Sequence, residues 1–305
     1  MRNFVSTSTV AMVLSLGCSR PEQPQPGAEG AAPAAGQRVM IQNKGSDTMV
    51  NLAQAWSEEY QKVKSNVAVA VSGGGSGTGI AAIINGTVDI ANASRAIKPK
   101  EAEQAKANSG KDPVQHAVAL DALAVVVNPK NPLAQISKKQ LACIYGIEGT
   151  CSKWSDVGVT VPDCAGQEII RVSRQSNSGT YAYFREVMLD EKDFKLGSRD
   201  MSGSKDVMDL VAHTPCAIGY SGMGYLTPEV KPLCVAKEEG QPCVAPSKET
   251  ALNGTYPIAR ELYMYTLGPA QGAAKEYLDW ILSDAGQVVV DRAGYVPVPK
   301  EKRGK

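Results

Sequence analysis

Long apolar runs are missing from this 305-residue chain: nowhere do about 18 consecutive apolar residues follow one another, the length a membrane-spanning helix requires. An integral membrane role is therefore not expected. Surplus charge is missing as well, since 32 Lys and Arg face 31 Asp and Glu. A chain so balanced offers no broad basic face to nucleic acid or to an acidic membrane, and any anion it binds must be met by local charge. Histidine is scarce. The two present, His116 and His213, lie apart from any Cys or Glu at ligand spacing, and no Cys-x-x-Cys occurs, so zinc is disfavoured and both histidines read as structural or surface residues.

Catalytic signatures are equally sparse. The Walker pattern G-x-x-x-x-G-K-[ST] is absent. The two glycine-serine stretches that approach the hydrolase pattern G-x-S-x-G, Gly73 to Gly79 and Gly219 to Gly224, carry Thr78 and Met223 where its last glycine belongs. A hydrolase or phosphatase would need an activated nucleophile or a metal cluster, and neither is seen. The expectation is a protein that is not an enzyme and takes no cofactor. One loose G-x-G-x-x-A match, Gly77 to Ala82, is on its own a weak dinucleotide signal. No repeat of fixed period occurs.

The first segment is distinctive. Residues 1–18 run from Arg2 through a short apolar stretch, Val10 to Leu16, to Gly17-Cys18, and are expected to form an export signal. Its end resembles the lipobox of bacterial lipoproteins, in which the cysteine becomes the lipidated mature N-terminus; a plainly cleaved secretory signal is the alternative. Residues 19–36, rich in Pro, Ala, Gly and Gln, read as a flexible tether, so folding should begin near Gln37. Setting Cys18 aside, Cys143, Cys151, Cys164, Cys216, Cys234 and Cys243 form an even set in an exported chain and imply disulfides. Cys234 with Cys243, flanking a short polar loop, is the expected pair; the others stay open among the 15 pairings that six cysteines allow.

From Gln37 the pattern alternates in α/β fashion. Strands are expected at Val39 to Gln42, Val67 to Val71, Val88 to Ala91, Val118 to Val127, Ile169 to Val172, Ala217 to Tyr220 and Tyr256 to Leu267. Helices are expected around Leu52, Trp56, Tyr60 and Val63; at Ile80 to Ile84; at Lys98 to Ala107; at Ser137 to Tyr145; at Tyr181, Phe184, Val187 and Met188; at Val207 to Ala212; and as one long piece from Ala273 to Asp291, with Tyr277, Ile281 and Val288 on one face. The two long apolar strands bracket the cysteine-bearing segment. The chain should leave one domain, build a second and return, giving a first lobe of residues 37–124 and 255–305 and a second of residues 125–254.

Three polar loops share one design. Lys44-Gly45-Ser46-Asp47-Thr48 follows the first strand, Ser72 to Gly79 follows the Val67 strand, and Arg174-Gln175-Ser176-Asn177-Ser178-Gly179-Thr180 follows the Ile169 strand. Each lies between a strand and a helix start. One such loop is usually a capped turn. Three together, at the carboxyl ends of strands in an open α/β sheet, are where ligands bind, and hydroxyls with helix N-termini enclose small oxyanions. Arg174 and Arg95 are candidate charged donors; for Arg95 the alternative is a surface salt bridge.

GSDTM, SGGGSGTG, DIANASR, RQSNSGTYAYF and AIGYSGMGYL, in that order, resemble the phosphate-binding proteins of bacterial ABC transporters, in the periplasmic binding protein superfamily. The resemblance spans about Val39 to Pro299. It implies a type II fold of two α/β lobes, each a mixed sheet flanked by helices, joined by a hinge of two crossover strands and closing as a monomer on inorganic phosphate for a membrane ABC permease. Residence in the periplasm or cell envelope follows, with membrane attachment only through Cys18. Carried over residue by residue, the phosphate site would comprise Ser46, Asp47, Thr48, Ser76, Gly77, Thr78, Arg95, Arg174, Ser178, Gly179 and Thr180. The family's best-known members place an aspartate where this chain has Ser94-Arg95. That aspartate accepts a hydrogen bond from protonated phosphate and repels sulfate. Asp47 is the expected substitute, its alternative role being an N-cap. Ser176 stands where the family often has an aspartate that pairs with the arginine. Sulfate, molybdate or an organic phosphate remains the alternative ligand, and a secreted hydrolase the more distant one.

Overall fold

The computed structural model describes residues 38–304. The expected signal, tether and Cys18 lie outside the described residues. In the first lobe β1 (Val39–Gly45) leads through α1 (Val50–Val63) to β2 (Val67–Ser72), which runs parallel to β1 with Val39 opposite Val67. Helix α1 buries Leu52, Ala53, Trp56 and Tyr60, a spacing that places all four on one face. Val63, expected on that face, is 60% exposed, because it occupies the last helical residue, where the helix has run past the core. Helix α2 (Ser76–Ile84), β3 (Ile90–Ala93) and α3 (Pro99–Ser109) follow; β3 lies two residues further on than the expected Val88 to Ala91.

Strand β4 (Pro113–Val127) then carries the chain into the second lobe. That lobe holds β5 (Gln135–Ser137), α4 (Lys138–Tyr145), β6 (Ile170–Arg174), α5 (Gly179–Leu189), β7 (Arg199–Met201), α6 (Ser204–Ala212), β8 (Ala217–Gly222), β9 (Lys231–Pro232), β10 (Cys234–Ala236) and α7 (Lys248–Leu252). The chain returns along β11 (Ala259–Leu267) and ends in α8 (Gly272–Leu282) and α9 (Asp284–Arg292).

One sheet threads both lobes in the order β2-β1-β3-β11-β4-β8-β6-β7, while β10 and β5 form a separate parallel pair. Strand β4 is shared: Pro113 to Ala122 pair antiparallel with β11, and Leu123 to Val127 pair antiparallel with β8. Buried apolar side chains of the described residues form four clusters, and the two largest both draw on the shared strand. The first packs Trp56, Tyr60, Leu262, Tyr277, Ile281 and Val290. The second centres on Tyr145, Phe184 and Tyr220, with the Phe184 and Tyr220 rings stacked at 4.0 Å, which fixes α5 against β8. Such aromatic pairs contribute roughly 0.5–1.5 kcal/mol beyond the area they bury.

Three disulfides, Cys143–Cys151, Cys164–Cys216 and Cys234–Cys243, all lie in the second lobe, and the last is the expected pair. The closing helix is not continuous. Ser283 turns the backbone out of the helix (φ −70°, ψ 168°) and its hydroxyl accepts from Gly286 N–H at 3.4 Å, starting α9 afresh. The break turns Val288 outward, to 62% exposure, so it leaves the face it was expected to share with Tyr277 and Ile281. Among the described residues no helix is long and apolar enough to cross a membrane.

Candidate functional site

The three polar loops lie at the carboxyl ends of β1, β2 and β6, and the closed arrangement of the lobes brings them into contact. Gly75 shows how close that contact is. It caps α2 at φ +90° and ψ 155°, a conformation essentially reserved for glycine, and a Cβ there would stand 2.7 Å from the Asn177 carbonyl of the opposite lobe. Gly77 N–H donates to that same carbonyl at 2.9 Å. The Asn177 side chain reaches back, donating to Gly74 O at 2.9 Å and to Thr78 Oγ1 at 3.4 Å. Asn177 is thus a strap between lobes, a role its place in the third loop did not announce.

Behind this rim lies a buried chain of hydroxyls. Ser46 Oγ donates to Ser94 Oγ at 2.9 Å, and Ser94 Oγ lies 3.3 Å from Ser76 Oγ, which also accepts the Ser94 N–H at 3.0 Å. Across the lobe boundary Thr48 Oγ1 and Thr180 Oγ1 stand 2.8 Å apart. Gly179, the first residue of α5, closes the group: a Cβ there would collide with the Ser76 and Ser94 hydroxyls. The N-termini of α2 and α5 therefore meet here, each bringing the partial positive charge of a helix start. Ser178 is the N-cap of α5, its hydroxyl accepting from Thr180 and Tyr181 N–H.

Arg174 is fully buried at the end of β6. Its Nη1 donates to Ser204 Oγ at 2.9 Å, and its Nη2 to Ser202 O at 2.9 Å and to Asp47 Oδ2 at 3.3 Å. Its Nε, buried, has no partner. Burial pulls this guanidinium below its ordinary pKa, and Asp47 works against that fall. Asp47 spans the site: Oδ1 accepts Gly74 N–H at 2.9 Å, Oδ2 meets Arg174, and its carbonyl accepts the Tyr225 hydroxyl at 2.8 Å. Burial pushes the Tyr225 phenol up to about 12, so it stays a donor at neutral pH. Asp47 is therefore the acid that faces Arg174, the place Ser176 leaves open.

Arg95 is placed elsewhere. Its guanidinium forms a fork on Glu101, with Nη1 and Nη2 at 2.8 and 2.7 Å, and Nη1 also donates to Ala96 O. Glu101 sits in the first turn of α3, where a carboxylate is favoured, so the pair is satisfied without the loops. The sequence reading missed Arg260 and Asp121. Asp121 is fully buried and Arg260 nearly so, and they form an ion pair at 2.8 Å. Arg260 Nη2 also donates to Thr180 Oγ1 at 3.0 Å, beneath the hydroxyl chain. The available signal was a single acid inside the apolar run Val118 to Val127 and a lone cation inside the run that ends at Leu267.

Five hydroxyls, two helix N-termini and two arginine–carboxylate pairs in one water-poor space suit a small, compact oxyanion. The orphaned Arg174 Nε points to the same chemistry, since a buried donor without a partner is costly. Comparison with known proteins agrees with this chemistry. A profile of the PBP superfamily domain matches residues 27–285. The chain is 36% identical over 276 residues to the phosphate-binding protein PstS of Pseudomonas aeruginosa, covering 87% of this chain and 85% of that one. It is 35% identical over 260 residues to the PstS of Bacillus subtilis, covering 85% and 80%. A Clostridium perfringens substrate-binding protein solved with bound phosphate superposes with a TM-score of 0.74 at 25% identity, covering 85% of this chain and all of that one. The chain belongs to the PBP superfamily and, within it, to the PstS family.

Proposed function

We propose that this protein captures inorganic phosphate between its lobes outside the cytoplasm and hands it to a membrane ABC permease, without catalysing a reaction. The observation that carries this reading is the buried hydroxyl chain Ser46, Ser94, Ser76 with Thr48 and Thr180, drawn from both lobes and set at the N-termini of α2 and α5. The relatives named above support it. Ser46, Thr48, Ser76, Gly179 and Thr180 would hold the oxygens, helped by Ser178 and by Arg174 through its free Nε. Gly77 and Thr78 shape the rim by bonding Asn177 and Gly74. Asp47 is the acceptor that favours protonated phosphate over sulfate. Arg95, engaged by Glu101, is left out of the set.

Closure follows from the same contacts. A ligand shifts an open–closed equilibrium only by its differential affinity, so donors from both lobes are needed. Residues 37–124 with 255–305 as one lobe and 125–254 as the other remain our division, with β4 and β11 as the hinge; a working monomer, an exported chain and a lipid on Cys18 belong to the same proposal. The test is Arg174→Ala. Its loss removes a charge-assisted donor and exposes Asp47 unpaired, and should weaken phosphate binding by about two orders of magnitude while far-ultraviolet circular dichroism stays native. Unchanged affinity would remove the second-lobe loop from the site.

A further inference from the structure

Arg260 is an expensive residue to bury. Its side chain is 2% exposed and that of Asp121 is 0%. A buried ion pair by itself often stabilises no better than apolar residues of the same volume, so a pair kept at this place calls for a further use. The register sets the two residues opposite each other on β11 and β4. Asp121 Oδ2 accepts from Arg260 Nε at 3.0 Å and Nη2 at 2.8 Å, and Oδ1 accepts Met223 N–H at 3.0 Å. The Tyr183 ring lies 5.6 Å from the guanidinium and helps fix its plane.

The side of the guanidinium away from Asp121 faces the hydroxyl chain. Nη2 reaches Thr180 Oγ1 at 3.0 Å and Thr48 Oγ1 at 3.5 Å, one residue from each lobe, and Nη1 donates to Ser94 O at 3.0 Å. A guanidinium has five N–H donors. Asp121, Thr180 and Ser94 engage four of them, leaving one Nη1 proton over. With the carboxylate behind and the cation in front, the hydroxyls see the positive end of a buried dipole, in surroundings where charge acts strongly.

We propose that Arg260 is a second cationic contact of the anion site, donating alongside Thr48 and Thr180 to the bound oxyanion, and that Asp121 is the positioning residue that aims it. The inference rests on the phosphate reading and adds to the site a cation from a hinge strand. Because a cation favours the more highly charged ligand, its removal should cost dianionic phosphate more than monoanionic phosphate.

The experiment is calorimetric titration of the purified protein with inorganic phosphate at about pH 6 and about pH 8, which bracket the second ionisation of phosphate. The double variant Arg260→Gln with Asp121→Asn keeps a neutral hydrogen-bonded pair and avoids an unpaired buried charge. It should lose roughly ten- to hundredfold in affinity, with the larger loss at the higher pH, as removal of one charged hydrogen bond implies. Arg260→Lys, which keeps the charge, covers the case in which the double variant does not fold; it should stay within about tenfold of the wild type and keep the wild-type pH trend. Wild-type binding with a folded double variant within about twofold, or a loss equal at both pH values, would overturn the inference and leave Arg260 a structural residue. A wild type that ignores phosphate would instead overturn the functional reading beneath it.

Discussion

Asn177→Ala isolates lobe closure from anion contact. The Asn177 side chain makes one good hydrogen bond to the opposite lobe, to Gly74 O at 2.9 Å, and one long one, to Thr78 Oγ1 at 3.4 Å, both in an exposed setting. The backbone bond from Gly77 N–H to Asn177 O is untouched by the substitution. An exposed neutral hydrogen bond is worth about 1 kcal/mol net, and the long contact adds little. Only the closed form has these bonds, so the closed state should lose about 1 kcal/mol and phosphate should bind roughly fivefold more weakly. Stopped-flow measurement should place the change in dissociation, with association nearly unaltered, and the melting temperature of the unliganded protein should hold. An unchanged dissociation constant would show that the lobes close without this strap. A loss beyond about fiftyfold would show that Asn177 touches the ligand itself, and either result would refute the reasoning.

Further outcomes follow from neighbouring features. Gly75→Ala places a side chain where φ is +90° and where a Cβ meets the Asn177 carbonyl at 2.7 Å, so phosphate affinity should fall by more than tenfold, by calorimetry, with a stability loss of about 1–3 kcal/mol in urea melts. Replacing both members of Cys164–Cys216, 52 residues apart, should destabilise by about 4 kcal/mol against about 2.5 for Cys143–Cys151, 8 apart, because the longer loop frees more chain entropy; equal losses in chemical denaturation would contradict this. Burial lowers the His116 pKa below 6.5, so the unfolded chain binds the proton more readily and stability should decline as pH falls through about 6.5 toward the lowered value. His116→Gln should flatten that part of the melting-temperature profile.

How much of this was legible in the sequence depends on distance along the chain. The three loops were legible because each is local: a strand, a run of small hydroxyl residues and a helix start within a few positions, repeated at Ser46, Ser76 and Ser178. Tertiary choices were not. Arg95 reads as a candidate donor until α3 sets Glu101 six residues away in its first turn and captures it. Asp121 and Arg260 are 139 residues apart and meet only because β4 and β11 pair antiparallel, a register no local pattern states. The division of the closing helix turned on Ser283, whose hydroxyl is as ordinary in a helix as at a cap until Gly286 packs beneath it.

The central claim, phosphate captured by a site that accepts its proton, meets its most direct test in calorimetric titration of the purified wild-type protein with phosphate and, separately, sulfate. Binding of phosphate at a dissociation constant of about a micromolar or tighter, with no heat from sulfate, is the result predicted. Equal binding of both anions would contradict the acceptor role of Asp47, and binding of neither would contradict the account as a whole.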